Sequence, residues 1–154
     1  MKKLAILLAL VAGLLLLAGC SSTGNTPPIG SLSENTFTVY KSQECGCCGG
    51  YIGYLDGKGV DFKVNAVPDV SPIKDKYMIP ENMRSCHTTV AGRYFIEGHV
   101  PLEAINKMLQ EKPDIDGIAL PGMPSGAAGM PGTKNGKFKI YSIKNGQPEL
   151  FMEI

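Results

Sequence analysis

The chain has 154 residues, enough for one modest domain and not comfortably two. Its formal charge is +1, and so balanced a chain argues against nucleic acid, which requires a basic face to neutralise its phosphates. Five cysteines and two histidines are the residues with distinctive chemistry, and they pose the question of metal, electron exchange or covalent stapling.

Lys2 and Lys3 form a charged start, and residues 4–17 are continuously apolar. That run is shorter than the ~20 residues a membrane-spanning helix needs. It closes on Leu17-Ala18-Gly19-Cys20, which resembles a bacterial lipobox, in which a small residue precedes a cysteine that becomes the lipidated N-terminus. The expectation is a lipoprotein signal peptide over residues 1–19, lipidation at Cys20, and a protein held at the cell envelope, on the periplasmic face in a Gram-negative cell. An ordinary secretory signal or an uncleaved anchor are the alternatives. Losing Lys2 and Lys3 takes the formal charge from +1 to about −1. Export also exposes thiols to oxidation, so disulfides compete with metal. Setting Cys20 aside leaves four cysteines, an even number.

From Cys20 to residue 36 the chain is polar, with Gly and two adjacent prolines, and reads as a flexible tether. The folded domain is expected over residues 37–154. Phe37 to Lys41 alternates as a strand, and Cys45-Gly46-Cys47-Cys48 follows it. Tyr51, Ile52 and Leu55 fall on one helical face, weakened by the surrounding glycines and ended at Gly57-Lys58-Gly59. Val60 to Val67 reads as a second strand, and Ile73 to Ile79 as a short helix. Thr88 to Ala91 and Tyr94 to Ile96 flank the turn Gly92-Arg93 as a hairpin. Pro101 opens a helix with Ile105, Met108 and Leu109 as its apolar face. The predicted order is β-α-β-α-β-β-α, an α/β domain. Residues 118–132 are Gly/Pro-rich, with Gly-Met-Pro occurring twice, and are expected to form neither a helix nor a central strand. Phe138 to Ile143 and Glu149 to Ile154 read as a closing hairpin around Asn145-Gly146.

The cysteines carry the chemistry. Cys45 and Cys48 stand in C-x-x-C relation at a strand-to-helix turn, where unpaired helical N–H groups favour thiolate. Thiolate both binds metal and attacks disulfides. Cys47 bears on the choice: an exchange site needs two sulfurs, and a third adjacent thiol offers a wrong partner. A soft-metal site gains from it. Cys45, Cys47, Cys48 and Cys86 form a thiolate set suited to Cu(I), with zinc the less favoured ion, and His87 adds an imidazole that supports Cu(I) and Cu(II). Three sulfurs within four residues crowd a single tetrahedral ion, so the expectation is a polynuclear, thiolate-bridged Cu(I) site. Two other readings stand beside it. One is a thiol-disulfide oxidoreductase using Cys45 and Cys48. The other is a structural lipoprotein with two disulfides, for which Cys45–Cys47 with Cys48–Cys86 is one feasible pairing of three.

His99 is an accessory ligand candidate or a turn histidine, and Met123 and Met130 are weak thioether candidates or gap-fillers. No nucleophile–base–acid set or phosphate-binding glycine loop is visible in the sequence.

Cys-Gly-Cys-Cys-Gly after a strand, then Ser85-Cys86-His87-Thr88, then Ile96-Glu97-Gly98-His99-Val100-Pro101, then Leu120-Pro121-Gly122-Met123-Pro124, resembles the CopG-like family of exported bacterial metal-binding proteins associated with copper resistance. The resemblance spans roughly residues 38–132. It implies a thioredoxin-like fold, copper as the bound ion, ligands at Cys45, Cys47, Cys48 and Cys86, and participation of His87. The predicted element order agrees with that fold. Redox thioredoxins carry a proline before the third strand; the corresponding Arg84-Ser85-Cys86-His87-Thr88 has none, which weakens the exchange reading. The expected partners are copper ions, copper-handling proteins of the envelope and, on the lipobox alone, the membrane through Cys20.

Overall fold

The structure is a computed structural model and describes residues 30–154. The expected signal peptide, Cys20 and the first part of the expected tether lie outside the described residues.

A four-residue helix, α1 (Gly30–Ser33), precedes β1 (Phe37–Ser42). There follow α2 (Cys47–Asp56), β2 (Phe62–Val67), α3 (Ser71–Lys76), a 3-10 turn (Glu81–Met83), β3 (His87–Ala91), β4 (Tyr94–Glu97) and α4 (Leu102–Glu111). From β1 to α4 this is the β-α-β-α-β-β-α order expected from the sequence. Three strands close the chain: β5 (Gly117–Ala119), β6 (Lys139–Lys144) and β7 (Gln147–Glu153). All seven strands form one sheet in the order β2-β1-β3-β4-β5-β6-β7.

Both parallel pairs, β1 with β2 and β4 with β5, are joined by a helix, because a tight turn cannot return a strand in the same direction. The antiparallel β3–β4 and β6–β7 pairs are hairpins. The second turns on Asn145-Gly146, both at positive φ, the conformation that matches sheet twist.

Alternation along the central strands covers both sheet faces. Ile96, Ile118 and Ile140 pack with Tyr51 and Leu55 of α2 and Ile105 and Met108 of α4. Phe95, Ala119 and Ile143 point the other way, against Ile79 and Met83.

Two expectations are corrected. Residues 118–132 were expected to hold no central strand, yet Ile118 and Ala119 belong to β5, fully buried between β4 and β6. A strand covered on both faces shows no polar alternation, and its three residues are masked by the glycines and prolines beyond Leu120. Gly117 is required there: a Cβ would stand 2.3 Å from the Phe95 carbonyl oxygen. The expected tether also ends earlier than residue 36. Leu32 of α1 is buried in the main core, so the folded unit takes in residues ahead of Phe37.

Candidate metal centre

β1 and β3 run antiparallel with Lys41 opposite His87. The residue entering β3, Cys86, therefore lies beside the chain leaving β1, where the cysteine cluster begins. The Cys45 amide donates to the Ser42 carbonyl at 3.2 Å, turning the chain into α2 at Cys47. Nothing caps that helix end with a side chain, so its first N–H groups and positive dipole face the sulfurs.

Cys45 and Cys48 form a disulfide across this turn, with Cα atoms 5.6 Å apart. Cys47 and Cys86 are free thiols. The pairing Cys45–Cys47 with Cys48–Cys86 does not occur, and among the described residues there is one disulfide rather than two. Once Cys48 turns inward on the buried face of α2, Cys45 reaches it across one turn, while Cys47 projects toward Cys86 instead.

Cys47 is the hub. Its Sγ lies 3.2 Å from Cys86 Sγ and 3.5 Å from Cys45 Sγ. Two donor sets meet on it. Cys45, Cys47 and Cys48 form one; Cys47, Cys86 and a ring nitrogen of His99 form the other, with the donor atoms of each set all within 4.8 Å of one another. Burial pushes the Cys86 thiol up to about 11, reinforced by the neighbouring Cys47, so without a cation it keeps its proton. A coordinated metal ion would deprotonate it.

His99 Nδ1 lies 2.7 Å from the Ala128 carbonyl oxygen. A carbonyl can only accept, so Nδ1 carries the hydrogen and Nε2 presents a lone pair. That Nε2 is buried and has no hydrogen-bond partner. His87 is equally buried, and neither of its nitrogens has a partner. Its ring centroid lies 4.5 Å from Tyr51 and 5.0 Å from His99. Burial, with His99 and Lys74 nearby, pushes His87 down to about 3, so it is neutral. Burial lowers His99 as well, against the Ala128 hydrogen bond that raises it. The His99 imidazole, unprotonated and with an unpartnered nitrogen, in one set with two free thiols fits a soft or borderline cation, while His87 falls in neither donor set.

The sequence ranked His87 as a ligand and His99 as an accessory; the structure brings His99 into the set with both free thiols. Met130 packs against the main core, and Met123 sits exposed on its loop at φ +46. The loop after Leu120 covers the site through its backbone. Ala128 fixes His99, and Gly129 lies so close to Gly50 of α2 that a Cβ on Gly50 would stand 2.2 Å from the Gly129 oxygen.

Sequence reasoning missed the support beneath Cys86. Glu97, fully buried in β4, accepts the Ser85 amide at 2.5 Å, Lys74 Nζ at 2.5 Å and the Thr88 hydroxyl at 2.6 Å. Burial raises the Glu97 carboxyl above its usual range, and Lys74 opposes this. The signal was present: a carboxylate following Phe95-Ile96 in a buried strand demands a cationic partner.

A family described as a protein of unknown function, DUF411, matches residues 83–130. No curated protein matches the chain. Two solved structures do. One, "Copper resistance protein copG- Form 2", is 34% identical with a TM-score of 0.71, covering 78% of this chain and 98% of that one. "Copper resistance protein copG- Form 1" is also 34% identical, with a TM-score of 0.70, covering 77% and 96%. With identity of that order along nearly the whole length of the relatives, the chain belongs to the family of the CopG copper resistance proteins.

Proposed function

We propose that the protein binds copper at the cell envelope and serves copper tolerance by sequestering the ion, passing it to partners, or cycling it between Cu(I) and Cu(II). The observation that carries this is the meeting, at one end of the sheet, of two free thiols and a ring nitrogen of the buried His99, whose Nε2 has no partner within the protein. Soft sulfur donors select Cu(I), and imidazole suits both oxidation states. The printed names of the two structural relatives point to the same ion. In the fully reduced protein Cys45, Cys47, Cys48 and Cys86 supply the thiolates, with Cys47 bridging, and His99 and His87 supply nitrogen. A lipid on Cys20 tethers the domain to the membrane.

Anaerobic loading of the reduced protein followed by metal analysis and X-ray absorption tests this. The expected result is more than one copper per chain, a sulfur-dominated shell and copper–copper scattering. One copper per chain sinks the polynuclear site, and no binding sinks the function. The Cys45–Cys48 disulfide favours a second reading, thiol-disulfide exchange. Cys47→Ser separates the two, because it should cripple copper loading while sparing reduction of an insulin disulfide if exchange is the activity.

A further inference from the structure

We propose that the Cys45–Cys48 disulfide sets the metal capacity: closed, the protein holds one soft ion on Cys47, Cys86 and His99; opened by a dithiol, it holds more than one. This rests on reading the cysteines as a metal site.

The three donors of the smaller site are independent of the disulfide. Cys47 and Cys86 are free, their sulfurs are 3.2 Å apart, and a His99 nitrogen lies within 4.8 Å of both. Of the two His99 nitrogens Nε2 is the one free to ligate, since Ala128 holds the Nδ1 hydrogen and leaves Nε2 unpartnered. Two thiolates and a neutral imidazole around Cu(I) leave one net negative charge. The disulfide sulfurs contribute nothing to this state, because it is thiolate that binds metal.

Opening the bond adds two sulfurs at the same place. Cys47 Sγ, already shared between the two donor sets, is 3.5 Å from Cys45 Sγ. Four thiolates around one Cu(I) would concentrate three net negative charges in a partly buried site, where repulsion is weakly screened. Further cations relieve it, and Cys47 is placed to bridge them.

The redox step balances as thiol-disulfide exchange. Cys45 is half-buried and Cys48 fully buried, so a thiolate of the incoming dithiol attacks Cys45 Sγ. The S–S bond breaks and Cys48 leaves as thiolate at the N-terminus of α2, where the dipole stabilises it. The second thiol of the reductant attacks the mixed disulfide and frees Cys45. Two electrons pass to the protein, the dithiol departs as a disulfide, and its two protons go to Cys45 and Cys48, or to water where metal takes their place.

The test uses the full chain with Cys20→Ser in detergent, so that only the four site cysteines titrate. It is prepared with the disulfide closed (two free thiols after denaturation) and after dithiothreitol treatment and removal (four free thiols). Each is titrated anaerobically with Cu(I), kept reduced by ascorbate, against a chromogenic chelator. One Cu(I) per chain is expected in the closed form and more than one in the open form. In the closed form His99→Ala should weaken binding at least about tenfold, the lower end of what losing even an outer-sphere partner costs. The double variant Cys45→Ser/Cys48→Ser should stay at one ion with or without dithiothreitol. Equal stoichiometry in the two unsubstituted preparations overturns the gate and leaves the copper reading standing, and binding by neither overturns the copper reading.

Discussion

His87 and His99 are both fully buried, yet their nitrogens are treated differently. His99 has one bonded to Ala128 and one open, whereas His87 has two open. Each buried polar atom left without a partner costs about 1–3 kcal/mol. What holds His87 in the metal-free fold is therefore its ring packing on Tyr51, whose own hydroxyl donates to the Val100 carbonyl. Phenylalanine keeps the ring and removes both unpaired nitrogens. His87→Phe should raise the stability of the metal-free protein by about 1 kcal/mol in urea unfolding, the gain tempered by the larger ring. The same change should lower Cu(I) affinity of the reduced protein by about tenfold. Stability gained with affinity unchanged would make His87 a packing residue only. The sequence placed His87 first because its adjacency to Cys86 is visible along the chain. The partner that fixes His99 lies 29 residues away and is a backbone carbonyl, which no side-chain pattern announces.

At the level of elements, α2 is a helix that its own propensity does not favour, with Gly49, Gly50 and Gly53 inside it. These glycines are not equivalent. A Cβ on Gly53 would meet nothing within 4 Å, whereas one on Gly50 would collide with the Gly129 backbone. Gly53→Ala should therefore stabilise the protein by about 0.5–1 kcal/mol through helix propensity. Gly50→Ala should destabilise it by about 2 kcal/mol despite the same propensity gain, because the loop that positions Ala128 over His99 must shift. Urea midpoints of the two variants check the contrast, and equal shifts would mean that the loop yields without cost. The sequence made the β-α-β-α-β-β-α order, the Gly92-Arg93 and Asn145-Gly146 turns and the convergence of Cys86 on the cysteine cluster readable, because alternation and turn residues are local signals. It did not reveal β5 or the seating of the 124–131 loop on α2. Those depend on burial from both faces and on backbone-to-backbone contact, which leave no periodic trace.

Across the whole molecule, the sulfur cluster stands on a buried ion pair that ties three elements together. Lys74 comes from α3, Thr88 from β3 and Glu97 from β4, and Glu97 also accepts the Ser85 amide next to Cys86. Lys74 and Glu97 are 4% and 0% exposed, so neither charge can fall back on water if its partner is removed. Breaking one side of such a pair costs about 3–5 kcal/mol, whereas replacing both sides is often far milder. Lys74→Met alone should therefore destabilise the metal-free protein by about 3–5 kcal/mol. Adding Glu97→Gln should recover much of that loss, because the amide still accepts the Ser85 N–H and can donate to Thr88 while carrying no charge. A double-mutant cycle in urea checks this, and strictly additive losses would show that the two side chains act independently. If the network's task is to hold Cys86 in place, the double variant should also keep its Cu(I) stoichiometry. The Ser85 hydrogen bond, rather than the charge pair, would then be what fixes the fourth sulfur against Cys47.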